Sequence, residues 1–289
     1  MKTHSISRRL GLVGRVALVR RGTTHLPCLP CLLVVVLVAA LSACGGSHRP
    51  GLVPPGTSEP DLFLFEKGTA ALNAKKWLTA REFFKQVVET YVQSPYRPDS
   101  KLGMGDTYLG EGTSEALVLA INEFREFLSY YPTNRRADYA QFKLGLAHFR
   151  QMRAAQRDQT ETREAVKELQ VFVERYANSS LIEEGRAKLR AARDRLSESS
   201  YEVAYFYYKQ RWYPGAISRF KELIKDDPGF TRRDAVYFYY AEALVRQKQE
   251  AEALPLYERL VNEFEKSEFL VEAQRRIEEL KQAQSKSGQ

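Results

Sequence analysis

Cysteine and histidine are the residues of this 289-residue chain whose types and spacing could carry chemistry. Cys28 and Cys31 have the CxxC spacing that, in a folded domain, would suit thiol redox chemistry or half of a metal site. Both lie in an amino-terminal segment that is basic through Arg21 and then has an apolar run of ten residues, 32–41. This run is too short to cross a bilayer, which needs about 20 helical residues, and the layout is typical of a secretory signal. We therefore predict that residues 1–43 are a removable signal peptide that takes the CxxC pair with it.

Cys44 follows the apolar run in the sequence Leu41-Ser42-Ala43-Cys44. These four residues resemble the lipobox of bacterial lipoproteins, in which cleavage before the cysteine lets its thiol carry diacylglycerol. We predict lipidation at Cys44 and, because Gly45 rather than aspartate follows it, an outer-membrane location facing the periplasm. Residues 44–60 are rich in Gly, Pro and Ser without an apolar period, so we expect the lipidated cysteine to be followed by a flexible tether.

Catalytic chemistry has little support in the rest of the chain. Removal of the signal leaves two histidines, His48 and His148, which argues against a histidine-dependent nucleophile or a histidine metal cluster. His148 falls in a helix, where we expect it to be packed or half-exposed. The sequence has no P-loop, no GxGxxG after a strand and no GxSxG. We predict a protein that is not an enzyme and has no catalytic residues, metal site or cofactor.

The basic net charge of the chain gives little support for a nucleic-acid partner. Its 44 basic and 36 acidic side chains give a net charge of +8, which could indicate a nucleic-acid partner. Six of the basic residues and none of the acidic ones lie in residues 1–43. The remaining 38 basic and 36 acidic side chains give a net charge of +2, so we predict no nucleic-acid partner.

The elements after the tether show an internal repeat. A tetratricopeptide (TPR) unit is a helix–turn–helix of about 34 residues, with small residues where helices cross closely and large ones filling the gaps. Five units carry this pattern, with Gly68, Ala80 and Phe84; Gly105, Ala120 and Phe124; Gly145, Ala165 and Leu169, followed by Phe172; Ala204, Ala216 and Phe220; and Ala241, Ala253 and Tyr257. We predict an all-α fold, a right-handed TPR-like α-solenoid of about five helix-turn-helix repeats over residues 61–283. A last helix from Ser267 to about Ala283 should cap it, and residues 284–289 should be a disordered tail.

The third repeat is enlarged by eight residues around Arg153 to Arg163. The lipobox, the tether, the five repeats and this insertion together resemble the BamD family, the TPR lipoproteins of the outer-membrane β-barrel assembly machine. The likeness covers roughly residues 61–283 and is clearest from Arg163 to Pro228, where residues 186–208 form one long stretch joining two repeats. The resemblance implies a scaffold of the Bam complex. Its expected partners are a periplasmic POTRA domain of BamA, other Bam lipoproteins and unfolded β-barrel outer-membrane proteins, with the membrane reached through the lipid anchor.

The resemblance also implies two binding sites. Arg219 aligns with a family arginine implicated in contact between the carboxy-terminal repeats and BamA, and it should point away from the packed face because its neighbour Phe220 belongs to the repeat core. Tyr91, Pro95 and Tyr96 match part of a family turn, Tyr-Pro-Phe-Gly-Pro-Tyr, in the amino-terminal repeats that meet substrate. The first proline and the Phe-Gly pair of that turn are absent here.

Two other functions share these features. A periplasmic TPR lipoprotein coordinating Tol–Pal or cell-envelope division would have similar repeats, but typically carries an amino-terminal coiled coil, and no sustained heptads precede Asp61. A pilotin for secretin assembly would share the lipobox and repeats. Its usual six-unit layout and the long insertion of the third repeat here fit less well.

Overall fold

The computed structural model describes residues 53–287, and the helices within that range account for most of it. The predicted signal peptide, Cys44 and the first half of the tether lie outside the described residues. The helices are α1 (Pro60–Asn73), α2 (Trp77–Thr90), α3 (Arg97–Glu111), α4 (Ser114–Tyr130), α5 (Ala137–Arg150), α6 (Thr160–Arg175), α7 (Ile182–Lys209), α8 (Tyr213–Asp226), α9 (Arg233–Arg246), α10 (Glu250–Glu263) and α11 (Leu270–Ser287).

The helices pack in chain order, each against the next, from α1 to α11. They form five helix pairs, α1–α2 through α9–α10, with α11 packed on the last pair. No strand occurs within residues 53–287. This architecture confirms the predicted all-α, TPR-like solenoid, in which each unit buries its apolar face against its neighbours. None of the described helices combines the length and the apolar character that a bilayer crossing requires.

Close helix crossings explain the spacing of small and aromatic residues. The buried ring of Phe84 in α2 lies between Gly68 of α1 and Gly103 of α3. A Cβ atom at Gly68 would come within 2.7 Å of that ring, and one at Gly103 within 2.6 Å. Any larger residue would push the helices apart, so one phenylalanine joins its own repeat to the next. Gly105 faces Phe124 in the same way, at 2.7 Å.

The turns between repeats share a second device that the repeat pattern did not reveal. In each, a side-chain oxygen accepts a hydrogen bond from the backbone N–H two residues further on, which fixes the turn locally. The residues are Ser94 (3.1 Å), Asn134 (2.8 Å), Ser179 (3.2 Å), Asp227 (3.2 Å) and Ser267 (3.2 Å). Two of these serines also donate a hydrogen bond to an aspartate at the start of an earlier helix. Ser179 donates to Asp138 of α5 and Ser267 donates to Asp234 of α9, both at 2.6 Å.

The long helix α7 serves two repeats. Its 28 residues make a rod of about 42 Å. Near its start, Gly185 packs against the ring of Phe172 in α6, while Tyr201 and Ala204 near its end are buried against α8 and α9. The single stretch expected over residues 186–208 is thus one continuous helix.

The capping helix differs from its predicted bounds. It begins at Leu270 rather than Ser267 because Ser267 caps the preceding turn, and it ends at Ser287 rather than about Ala283. Residues 281–287 contain neither Gly nor Pro and have adequate helix propensity, so the helix continues through them. The part of the predicted disordered tail that the structure describes, 284–287, is therefore helical.

A buried ion pair attaches α11 to the last repeat. Glu242 of α9 is 4% exposed. It accepts a hydrogen bond from the hydroxyl of Tyr257 at 2.6 Å, and its Oε1 lies 2.7 Å from Nε of Arg276 in α11. Burial and the bond to Glu242 both raise the pKa of Tyr257. A buried carboxylate requires such partners, so this trio holds the cap in position.

Candidate functional site

Arg219 lies on α8 at the surface, as its predicted role requires. Its neighbour Phe220 is completely buried in the repeat core, whereas the Arg219 side chain is 53% exposed. Its recorded ion pair is with Glu222 one turn along the helix, at 3.4 Å. Exposed pairs of this kind contribute under about 1 kcal/mol, so this one leaves the guanidinium available to another carboxylate.

Arg219 lines a cleft of about 730 Å³ between α6, α7 and α8. Its lining includes Arg163 and Val166 of α6 and Arg193 and Val203 of α7. Helix α8 contributes Arg219, Glu222 and Asp226. The cleft therefore carries several charges around a small apolar surface and spans the junction of the third and fourth repeats.

The lining of the cleft also includes Arg190 of α7 and Asp227, the residue that follows α8. Nη1 of Arg190 donates to Oδ1 of Asp227 at 3.0 Å and Nη2 donates to Oδ2, while Ser197 donates to Oδ2 at 2.6 Å. Burial of Asp227 opposes its ionisation, but the hydrogen bonds from Arg190 and Ser197 outweigh this, and its pKa lies below its usual value. Arg190 also pairs with Asp194 at 3.0 Å, so its charge is compensated within the protein.

The insertion of the third repeat forms the rim of the cleft next to Arg163. Gln159 lines the cleft and is only 5% exposed. Its amide nitrogen donates to the carbonyl oxygens of Ala154 (2.8 Å) and Arg157 (2.9 Å), and its amide oxygen accepts from Thr162 at 2.8 Å. One buried side chain thus organises the inserted loop. The sequence predicted the insertion but not this role, because most glutamines are exposed at the surface.

The predicted substrate-binding residues lie together in the turn between α2 and α3, on a different repeat from Arg219. Tyr91 follows α2 as its C-cap residue, and Pro95 is exposed in the turn. The ring of Tyr96 stacks on Phe65 of α1, with centroids 5.3 Å apart and planes 16° apart. Tyr96 therefore has a packing role in the first repeat.

The histidine and cysteine considered for chemistry in the sequence do not form a metal-binding cluster within the described residues. His148 is buried on α5, and its Nδ1 lies 2.7 Å from Oε2 of Glu161, so the expectation of a packed histidine is met. Between residues 53 and 287, no cluster of three or more His, Cys, Asp or Glu is arranged to hold a metal ion. Cys44 lies outside this range, and its lipidation remains a prediction.

Stacked helix pairs with a charged cleft at a repeat junction define a TPR-type helical-repeat protein, a class whose extended surfaces bind other polypeptides. A model of the YfiO family, described as outer membrane lipoproteins, matches residues 58–246, and a tetratricopeptide repeat model matches residues 235–267. The first match covers about two thirds of the chain, and the protein belongs to this family of outer membrane lipoproteins.

Named relatives agree with this assignment. The outer membrane protein assembly factor BamD of Caulobacter vibrioides is 28% identical over 211 residues, which cover 72% of this chain and 67% of the relative. The protein of the same name from Vibrio cholerae is 26% identical over 202 residues, covering 66% and 81%. Among solved structures, the TPR2AB-domain:pHSP90 complex of yeast Sti1 is 14% identical with a TM-score of 0.42, covering 77% of this chain and 83% of that one. The predicted membership of the BamD family is confirmed.

Proposed function

We propose that this protein is a lipid-anchored scaffold of the β-barrel assembly complex in the outer membrane. It binds BamA and unfolded outer-membrane proteins and promotes insertion of the latter without catalysing a reaction. The observation that carries the proposal is the family match over residues 58–246, together with relatives named as outer membrane protein assembly factors. Other Bam lipoproteins complete the proposed set of partners.

The carboxy-terminal repeats supply the contact with BamA. The exposed side chain of Arg219 projects from α8, whose orientation is fixed by the buried Phe220. A guanidinium group can bind a carboxylate through two parallel hydrogen bonds, which makes it suited to an acidic residue on a POTRA domain. The weak local pair with Glu222 is exchanged for this contact when BamA binds.

The amino-terminal repeats supply the contact with substrate. Tyr91, Pro95 and Tyr96 form a turn with partly exposed aromatic and apolar surface, beside Val92, whose side chain is also exposed. Such a surface suits the apolar side chains of an unfolded barrel strand. The stacking of Tyr96 on Phe65 holds the turn against α1.

The anchor keeps both surfaces near the membrane. Acyl chains on Cys44 contribute about 0.8 kcal/mol per buried CH₂, so two or three chains suffice for stable attachment. The residues between Cys44 and α1 would reach at most about 50 Å if fully extended, which leaves the solenoid free to meet BamA in the periplasm.

Co-purification from detergent-solubilised membranes tests the proposal. A tagged copy of the protein should recover BamA together with other Bam lipoproteins. Recovery of Tol–Pal or secretin components without BamA would instead support the periplasmic coordinator or the pilotin. Recovery of none of these would contradict the proposed function.

A further inference from the structure

Three arginines from three successive helices line the cleft at the junction of the third and fourth repeats. Arg163 belongs to α6, Arg193 to α7 and Arg219 to α8. They are far apart in sequence and meet only because the helices stack. Guanidinium groups that share a cleft repel one another unless other groups compensate their charge.

Compensation within the protein is incomplete. The guanidinium of Arg193 contacts an amide oxygen, Oε1 of Gln170, at 3.0 Å. Within the described range, the side chain of Arg163 has no ion-pair partner. Arg219 has the long, exposed pair with Glu222. By contrast, the charge of the fourth arginine of the cleft, Arg190, is compensated by Asp194 and Asp227.

The acidic residues of the cleft are all on one side. Glu222 and Asp226 are exposed residues of α8, and Asp227 is already bound to Arg190. The part of the lining that α6 and α7 contribute therefore carries uncompensated positive charge from Arg163 and Arg193. Between them lie the aliphatic side chains of Val166 and Val203, the second of which is exposed.

We propose that this cleft receives an acidic segment of the partner protein, with one carboxylate on Arg163 and Arg193, a second on Arg219 and an aliphatic side chain against Val166 and Val203. This inference rests on the proposed function and deepens it. It assigns Arg163 and Arg193 as further partner-binding residues and gives the chemistry of the segment they recognise: two acidic side chains flanking an apolar one. Arg190 acts as a positioning residue that holds the cleft open.

The affinity of the full-length mature lipoprotein in detergent for purified BamA tests this. Arg163→Gln and Arg193→Gln remove each charge, and Arg186→Gln is the matched control. Arg186 lies on α7 outside the cleft and pairs with Glu183 at 3.0 Å. Thermal unfolding of each variant checks that the fold is intact.

At about 0.1 M salt each cleft variant should bind roughly tenfold more weakly than wild type, and the control should bind normally. The loss of affinity should shrink at about 1 M salt, where the screening length falls from about 10 Å to about 3 Å.

If wild type binds BamA and both cleft variants bind it as tightly as wild type does, the cleft proposal is overturned while the proposed function stands. A loss that is identical at both salt concentrations also overturns it, because the effect would then not be electrostatic. If wild type does not bind BamA, the proposed function and the cleft proposal both fall.

Discussion

Arg190 in the first half of α7 and Asp227, which follows α8, form a bidentate ion pair, with Nη1 and Oδ1 3.0 Å apart. Asp227 simultaneously accepts a hydrogen bond from Ser197 and caps its own turn through the N–H of Gly229. The same carboxylate thus fixes the turn after the fourth repeat and ties it to the helix shared with the third. The shape of the cleft depends on this contact.

Replacing Asp227 with Asn in a soluble domain that begins at residue 53 should lower the free energy of unfolding by about 2 kcal/mol at neutral pH. The reason is that the charge-assisted hydrogen bonds to the Asp227 carboxylate are lost. The pKa of Asp227 is below its ordinary value of 3.8 in the folded state. The stabilisation by ionised Asp227 is therefore complete above that value and disappears as the pH falls through the folded-state pKa.

Urea unfolding as a function of pH measures this stabilisation. The difference between wild type and Asp227→Asn should shrink below about pH 3.8, whereas Asp226→Asn should match wild type throughout. A pH-independent difference would show that the charge of Asp227 is not what stabilises the turn.

Replacing Ala216 with Leu should lower the free energy of unfolding by roughly 1–3 kcal/mol, because Ala216 is completely buried at a helix crossing and the added atoms overpack it. The midpoint of thermal unfolding reports this. Ser218→Leu, on the exposed side of the same helix, is the control and should leave the midpoint nearly unchanged. Equal midpoints for wild type and Ala216→Leu would mean that the helix crossing is looser than the complete burial of Ala216 indicates.

Replacing Cys44 with Ala should release the protein from the membrane fraction, since it removes the proposed lipid anchor. Fractionation after a high-salt wash gives the measurement, and Ser47→Ala in the tether should remain with membranes. Retention of Cys44→Ala after the wash would indicate a second anchor or attachment through partners alone.

Replacing Arg219 with Glu should leave the unfolding midpoint nearly unchanged, because the side chain is exposed and its ion pair is weak. Capture of BamA and the level of outer-membrane barrels should both fall. Lys221→Glu makes the same charge change on an exposed position of α8 outside the cleft and should have little effect. A folded Arg219→Glu protein with normal BamA capture would remove Arg219 from the interface.

Much of the fold could be predicted because the signals are local and periodic. The spacing of Ala80 and Phe84 recurs in each unit as an alanine followed four residues later by a large apolar residue, since every repeat must solve the same close-packing problem. The long helix α7 was visible as an uninterrupted stretch without Gly or Pro after residue 185. The surface position of Arg219 followed from the burial of its neighbour Phe220, because successive helical residues point about 100° apart.

The sequence alone therefore determined the helical repeats, their register and the family, all of which depend on residues near one another in the chain. Only the tertiary structure decided which polar residues of different repeats meet. The pairing of Arg190 with Asp227, the burial of Glu242 against Arg276, and the convergence of Arg163, Arg193 and Arg219 on one cleft depend on the angles at which helices stack. Periodicity identifies the buried face of a helix. It carries no information about which charged side chains on the other faces come within hydrogen-bonding distance, because arginine and glutamate satisfy the same polar pattern whether they are solvated or paired.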